Sequence, residues 1–301
     1  MGGNGFLGSY VVDGLVRRGH TVTVFDRFSG QQNWESAGVR RVVGDFLDDA
    51  QLGDAVRGQD VVLHLLSTTT PASAESDPTL DLASNVRQSV ELFARAAAAG
   101  VSRVLFASTG GAMYGAHAEH AVSEATAPAP LSPYAIGKLA IEGYLRYFQR
   151  VRGLDSTIFR ISNPYGPRQH PGRQQGVIPI FLERIARGEP IRVHGDGTSV
   201  RDYLFAADAA EMIVETLAAH PRHDIYNIGS GTGHSLNEVI EIAREVTGRP
   251  IAIDRMPAPA TAVDRIVLNT RRYTEEFGQR PLVELRDGMS RTWRTMNGAA
   301  G

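Results

Sequence analysis

Two textures alternate along the first half of the chain. Residues 21–25 (TVTVF) and 39–43 are short β-branched runs, and residues 60–66 (DVVLHLL) are almost continuously apolar. The last pattern predicts a strand buried on both faces. Residues 101–107 and 156–161 read as further strands. Between them lie segments with helical spacing: 7–18, closed by Gly19; 48–56; 80–99, stopped by Gly100; and 132–152. Strands alternating with helices predict a doubly wound parallel sheet with right-handed crossovers.

Beyond Asn163 the pattern loosens. Pro164, Gly166, Pro167, Pro171, Gly172 and Gly176 interrupt it, and shorter elements follow. Helices are predicted over 178–187, 206–219 and 236–247, a strand over 225–228, and two short helices at the end. This suggests a smaller C-terminal lobe packed on the first, with 1–167 and 202–228 in one unit and 168–201 and 229–301 in the other. No internal repeat or heptad pattern is present.

Composition narrows the function. The chain has 301 residues and a formal net charge of −2, which argues against a nucleic-acid protein held by a broad basic face. It has no cysteine, which excludes disulfides, thiolate metal sites and a Cys nucleophile. No apolar run reaches the roughly 20 residues that span a bilayer. A soluble cytoplasmic protein, without a membrane anchor and without a metal, is the expectation. The 31 basic residues are thirty arginines and a single lysine, Lys138.

Gly2, Gly5 and Gly8 open the chain with G-x-x-G-x-x-G spacing, directly before the first helix. Glycines there let a pyrophosphate approach the backbone, and the helix N-terminus supplies N–H donors. Asp26, at the end of the next strand, lies where an acid binds the adenosine ribose of NAD, and Asp45 could accept from an adenine amine. Arg27 beside Asp26 leaves NADP open. A doubly wound sheet needs a strand before the glycine loop, and only Met1 precedes it here. The expectation is a sheet lacking its first strand, or a start that lies upstream, and weak NAD binding in the chain as given.

Ser132-Pro133-Tyr134-Ala135-Ile136-Gly137-Lys138 opens a long helix, which puts Tyr134 and Lys138 on one face. An ammonium beside a phenol favours the phenolate, and this predicts a lowered Tyr134 pKa and a usable general base. In a chain that otherwise uses only arginine, a lysine here indicates that a compact ammonium is required. Ser108 and Thr109 end the preceding strand, where either hydroxyl could face a ligand crevice.

Together these residues resemble the extended short-chain dehydrogenase/reductases, and within them the NAD-dependent nucleotide-sugar epimerases of the UDP-glucose 4-epimerase type. The likeness spans nearly the whole chain: GGNGFLG, Asp26, GDFLDD (44–49), HLLS (64–67), Asn85, STGGAMYG (108–115), SPYAIGK (132–138), RISNPYGP (160–167), VRDY (200–203) and YNIGSG (226–231). It implies a Rossmann-type fold and a homodimer formed through the helices at 80–99 and 132–152. It further implies cofactor contacts from Phe6, Leu7, Arg27, Phe46, Leu65, Ser67, Asn85 and Ser108. It assigns catalysis to Thr109, Tyr134 and Lys138, and the diphosphate of a UDP- or dTDP-sugar to Asn163 and Arg201. His194 matches a base-stacking position, and Leu268 a position that limits sugar size. Related dehydratases and decarboxylases carry an acid after the hydroxyl, where this chain has Gly110 and Gly111. The resemblance therefore implies C4 epimerisation through a 4-keto sugar. A family reductase or dehydrogenase, or a non-catalytic nucleotide-binding relative, is the alternative. The family's second phosphate-binding arginine falls at Thr261, leaving Arg168, Arg173 or Arg265 to compensate.

Overall fold

The computed structural model describes residues 1–115, 120–169, 176–217, 220–259 and 262–298. In chain order the first elements are α1 (Phe6–Arg17), β1 (Thr23–Asp26), β2 (Arg40–Val43), α2 (Asp49–Val56) and β3 (Val61–His64). Then come α3 (Pro71–Ser76), α4 (Pro78–Asp81), a π-helical turn (Leu82–Val86) and α5 (Arg87–Ala98). The central part holds β4 (Arg103–Thr109), α6 (Pro133–Arg152), β5 (Asp155–Ile161), β6 (Asn163–Tyr165), α7 (Val177–Ala186), β7 (Ile191–His194), β8 (Val200–Phe205) and α8 (Ala206–Glu215). Last are β9 (Ile225–Ile228), β10 (Gly233–Ser235), α9 (Leu236–Thr247), β11 (Ile253–Met256), β12 (Arg265–Ile266), α10 (Arg271–Phe277) and α11 (Leu285–Met296).

The parallel sheet forms as the alternating pattern predicts, in two pieces. β1 pairs with β2, and β3, β4, β5 and β9 pair in that order, all parallel. Met1 and Gly2 bridge the pieces. The Met1 ammonium donates to the Leu63 carbonyl at 2.9 Å, Leu65 N–H donates to Met1 O at 3.1 Å, and Gly2 N–H donates to Phe25 O at 3.0 Å. Helices cover both faces. Val11, Val12 and Leu15 of α1 pack with Ile213 and Val214 of α8 on one side. Leu52, Leu92, Phe93, Ile141 and Leu145, from α2, α5 and α6, fill the other.

Local chemistry sets the helix ends. Asp48 caps α2 by accepting from Ala50 and Gln51 N–H. Ser132 caps α6, Pro133 fills its first turn, and Gly153 ends it in the left-handed conformation at φ 65°. Ser235 and Glu238 form a capping box on α9. The single helix predicted over 80–99 is broken by the π-helical turn, which presents Ser84 and Asn85 to the loop after β3. Such one-residue insertions concentrate at functional sites.

A third core gathers α7, α9 and α11 around Ile191, Val193, Tyr203 and Phe205. β8 organises this region, pairing with β6, β10 and β12, while β7 pairs with β11. These short strands were not separable from loop in the sequence pattern. Tyr273 and Phe277 of α10 pack with the first core, so this stretch of the C-terminal segment returns to the large sheet. The helix predicted over 206–219 is described as far as Glu215, and its predicted end at 218–219 lies outside the described residues.

Candidate active site

The glycine loop is tightly folded. Gly2 has φ 75°, and a Cβ there would lie 2.9 Å from the Leu66 backbone. A Cβ on Gly8 would stand 2.2 Å from Gly2 O, so only glycine fits. Gly5 is the N-cap of α1 and no side chain caps the first turn at Phe6, Leu7 and Gly8. Those N–H groups and the helix dipole form an anion seat. Asp26 Oδ2 accepts from Asn4 N–H at 3.1 Å, and the Asn4 side chain in turn ties down Gln31 and Asn33. Asn4 was not singled out from the sequence, because its partners lie almost thirty residues away. Asp45 Oδ1 accepts from Leu47 N–H, while Arg27 is exposed. The Phe46 ring is buried in the core against His64, so this residue offers a ligand its main chain only.

In the loop after β3, Leu65 is half-buried and Ser67 Oγ donates to Thr69 O. Asn85 is fully committed within the protein. Its Oδ1 accepts from Thr68 N–H and Thr68 Oγ1, and its Nδ2 donates to Thr69 Oγ1 and Asp81 Oδ1. Asn85 thus shapes this loop rather than facing an open cleft.

β4 delivers two adjacent hydroxyls with different fates. Ser108 donates to Glu142 Oε1 at 2.6 Å, and Glu142 also accepts from Arg160 Nε and Nη2 at 3.1 and 2.8 Å. Arg160 continues to Tyr114 OH, and Tyr114 donates to Asn227. This buried network was invisible in sequence, although Glu142 sits one turn beyond Lys138. The Thr109 hydroxyl has no side-chain hydrogen bond among the described residues.

Tyr134 lies in the first turn of α6, partly exposed, and Lys138 one turn later is 6% exposed. The Lys138 Nζ donates to Ala107 O at 2.9 Å, 4.7 Å above the Phe106 ring and 5.8 Å from the Tyr134 ring centroid. Burial lowers the Lys138 pKa to about 8, against the opposing pull of Asp81 and Glu142. The Tyr134 phenol is pushed up to about 12 by burial and then by Asp81. The expected depression by Lys138 is therefore not present in this state. The ammonium is aimed at a carbonyl, and desolvation dominates the phenol.

A cavity of about 290 Å³ brings Asn163 and Arg201 together with Tyr165, Val177, Ser199 and Tyr203. Arg201 is half-buried, its pKa lowered by desolvation, and bonds only to the Val200 carbonyl among the described residues. A half-buried guanidinium without a carboxylate hydrogen-bond partner suits an incoming phosphate. Asn163 donates to Asp202 O at 3.0 Å, and a Cβ on Gly111 would lie 3.3 Å from its amide atoms. The cavity thus abuts the loop after Thr109.

The compensating arginines are placed elsewhere. Arg168 bonds Asp13 and Glu35, each at 2.7 Å, and stacks on Tyr10. Arg265 pairs with Val200 in the β-ladder, so it projects from the face of the sheet opposite Arg201. Arg173 and Thr261 lie outside the described residues. His194 is exposed, accompanied by Pro257 O at 3.2 Å, and does not line this cavity. Leu268 is completely buried, and its methyl group would lie 2.5 Å from a Cβ on Gly110. It packs under the loop that follows Thr109.

The profile of the NAD dependent epimerase/dehydratase family matches residues 1–229. The chain belongs to that family. A curated relative, a putative UDP-glucose 4-epimerase of Methanocaldococcus jannaschii, is 31% identical over 96% of this chain and 95% of its own. The dTDP-4-dehydro-6-deoxyglucose reductase of Escherichia coli is 31% identical over 96% and 94%. The crystal structure of Thermotoga maritima UDP-glucose 4-epimerase with UDP-glucose superposes with a TM-score of 0.92 at 32% identity, covering 99% of this chain and 97% of that one. The fold is thus the doubly wound parallel sheet that the alternating pattern predicts, of the Rossmann type that the resemblance implies, in an NAD-dependent family of nucleotide-sugar enzymes. Among the described residues, no helix is long and apolar enough to cross a membrane.

Proposed function

We propose that this protein is an NAD-dependent epimerase acting at C4 of a UDP- or dTDP-sugar. The observation that carries the reading is the packing at Gly110 and Gly111. A side chain at 110 would meet Leu268 at 2.5 Å and Arg160 O at 2.9 Å, and one at 111 would meet the Asn163 amide. The carboxylic acid that dehydratases and decarboxylases place after the hydroxyl is absent here; at 110 it would force this packing to shift, and at 111 only the Asn163 side chain would have to give. Without that acid, elimination lacks a proton carrier, and oxidation followed by re-reduction remains.

The cofactor site fits the group. The cradle of Gly2, Gly5 and Gly8 would hold the pyrophosphate on the uncapped α1 N-terminus, with Asp26 on the ribose and Asp45 near the adenine. NAD, when bound, supplies the acceptor and donor of hydride at C4. Thr109 orients the C4 hydroxyl and Tyr134 exchanges its proton. A phenol at about 12 is poised to donate in the return direction. In the forward direction it needs positive charge beside it, and Lys138 is the nearest fixed source. Arg201 and Asn163 would retain the diphosphate while the 4-keto sugar turns over. In this reading 1–167 and 202–228 hold the cofactor and contribute Thr109, Tyr134 and Asn163 to the sugar site, and 168–201 and 229–301 supply the rest of that site, apart from α10, which packs on the large sheet.

The test is incubation with UDP- and dTDP-sugars and identification of the products. Interconversion of C4 epimers without net absorbance change at the nicotinamide band supports the reading. Loss of water from the sugar, or steady consumption of NADH as in a reductase, would overturn it. A homodimer belongs to the same reading. Its support is the exposed Leu80, Leu82, Ile136, Tyr144, Tyr147 and Val151 on and beside α6 and the helical stretch ending in α5. Light scattering of the purified chain checks it.

A further inference from the structure

Asp81, at the end of α4, is 2% exposed. Its Oδ1 accepts from Thr69 Oγ1 at 2.5 Å and from Asn85 Nδ2 at 2.8 Å, both neutral donors. None of the ion pairs among the described residues includes it. Its other oxygen is pressed against Gly137 of α6. A Cβ at 137 would lie only 2.0 Å from Oδ2, so glycine is required for this approach. The next residue along that helix is Lys138, likewise buried and bonded only to a neutral carbonyl.

The remaining groups around Lys138 are accounted for. Glu142, on the same helix, is bidentate to Arg160 and accepts from Ser108, so its charge is already balanced. His64, from β3, is held neutral by its burial and, after that, by the nearby Lys138. Tyr134 is a neutral phenol. Two buried charges of opposite sign, on packed elements, are left without direct partners. Burying a charge is costly, and a nearby charge of opposite sign offsets that cost.

We propose that Asp81 is the counter-charge that keeps Lys138 cationic, a positioning residue acting through that lysine rather than on substrate. The placement explains the π-helical turn, which brings Asn85 and Ser84 onto the loop that holds Asp81 in place through Thr69. The electrostatics agree: Asp81 is the leading influence opposing the burial-driven fall of the Lys138 pKa, and it also raises Tyr134. The role in turnover rests on the reading of Tyr134 and Lys138 as the catalytic pair, whereas the charge pairing does not.

The chain's single lysine makes a direct test available. Full-length protein grown with lysine labelled with carbon-13 at Cε gives one lysine resonance, and its pH titration reads Lys138 alone. The wild-type midpoint is expected at about 8. Asp81→Asn, which keeps the size and the hydrogen-bond acceptor but not the charge, is expected to lower it by about one unit or more. Thr69→Val, which removes a hydrogen bond and leaves the charge, should leave it in place. If Asp81→Asn does not fold, Asp81→Ser serves the same purpose. An unchanged midpoint in the folded neutral variant overturns the proposal. The alkaline fall of activity should move down with the resonance. A shifted resonance with an unmoved activity profile would keep the charge pairing and count against the catalytic assignment of Lys138.

Discussion

Ser108 donates its hydroxyl to Glu142 Oε1 at 2.6 Å, while its neighbour Thr109 makes no such bond. The two hydroxyls, indistinguishable in the sequence, therefore separate into one engaged by the protein and one free of side-chain partners among the described residues, the one the proposed function uses. Thr109→Val is expected to lower kcat by about 10²-fold, the cost of losing one oriented hydrogen-bond donor, with the melting temperature little changed. Ser108→Ala should show the reverse: kcat within a few-fold of wild type and a stability loss of about 1–3 kcal/mol from the unsatisfied buried acceptor. Steady-state kinetics and urea titration on the same preparations decide it.

Lys138→Arg keeps the charge but not the shape. The ammonium fits between the Ala107 carbonyl and the Phe106 ring, and a planar guanidinium has different donors and greater width. Activity should fall by about 10²-fold or more, comparable with Tyr134→Phe. An arginine variant with full activity would remove the main support for the pair.

Wild-type activity should decline as pH rises past about 8, because Lys138 is cationic below that value and neutral above it. The stability effect has a defined sign. Folding lowers this pKa from 10.5 to about 8, so between those values the unfolded chain binds more protons and the contribution of Lys138 to stability rises with pH. Urea midpoints across that range, compared with Lys138→Met, check the slope.

Arg201 and Arg168 are expected to differ sharply. Arg201→Ala should raise KM for a nucleotide sugar by about 10-fold or more, since a charge-assisted phosphate contact is lost. Arg168→Ala should change KM little. Its guanidinium is engaged by Asp13 and Glu35, and its removal leaves Asp13 buried without its cation, which lowers the melting temperature instead. An Arg168→Ala variant that binds substrate poorly at unchanged stability would contradict this placement.

Arg160 and Glu142 are 1% and 0% exposed. Glu142→Ala strands a buried guanidinium and should cost about 3–5 kcal/mol, measured by chemical denaturation. Replacing both residues with apolar ones of similar volume should recover much of that loss.

What could be read beforehand followed from periodicity and local chemistry. α6, α9 and β9 begin and end close to where the apolar pattern puts them, at 132–152, 236–247 and 225–228. The π-helical turn escaped because a one-residue insertion leaves the hydrophobic spacing of 80–99 almost intact. β7, β8 and β11 escaped because they lie in the Gly- and Pro-interrupted stretch and pair with segments distant in sequence rather than forming one alternating βαβ run. In the site, Gly2, Gly5, Gly8, Tyr134 and Lys138 were legible because their spacing is local. Arg168 could not be separated from the other candidate arginines, because its partner Asp13 is 155 residues away in sequence. Asp81 and Asn4 act through contacts between separate elements, which no single-chain pattern encodes.

The buried position of Lys138 also sets how the protein meets amine chemistry. All other basic side chains are arginines, so the outer surface carries no lysine for acylating reagents, aldehyde crosslinkers or acetyltransferases. The one lysine they could reach stands beside Tyr134. On the proposed function, covalent labelling of a lysine in this protein is an active-site event, and bound ligand should protect against it.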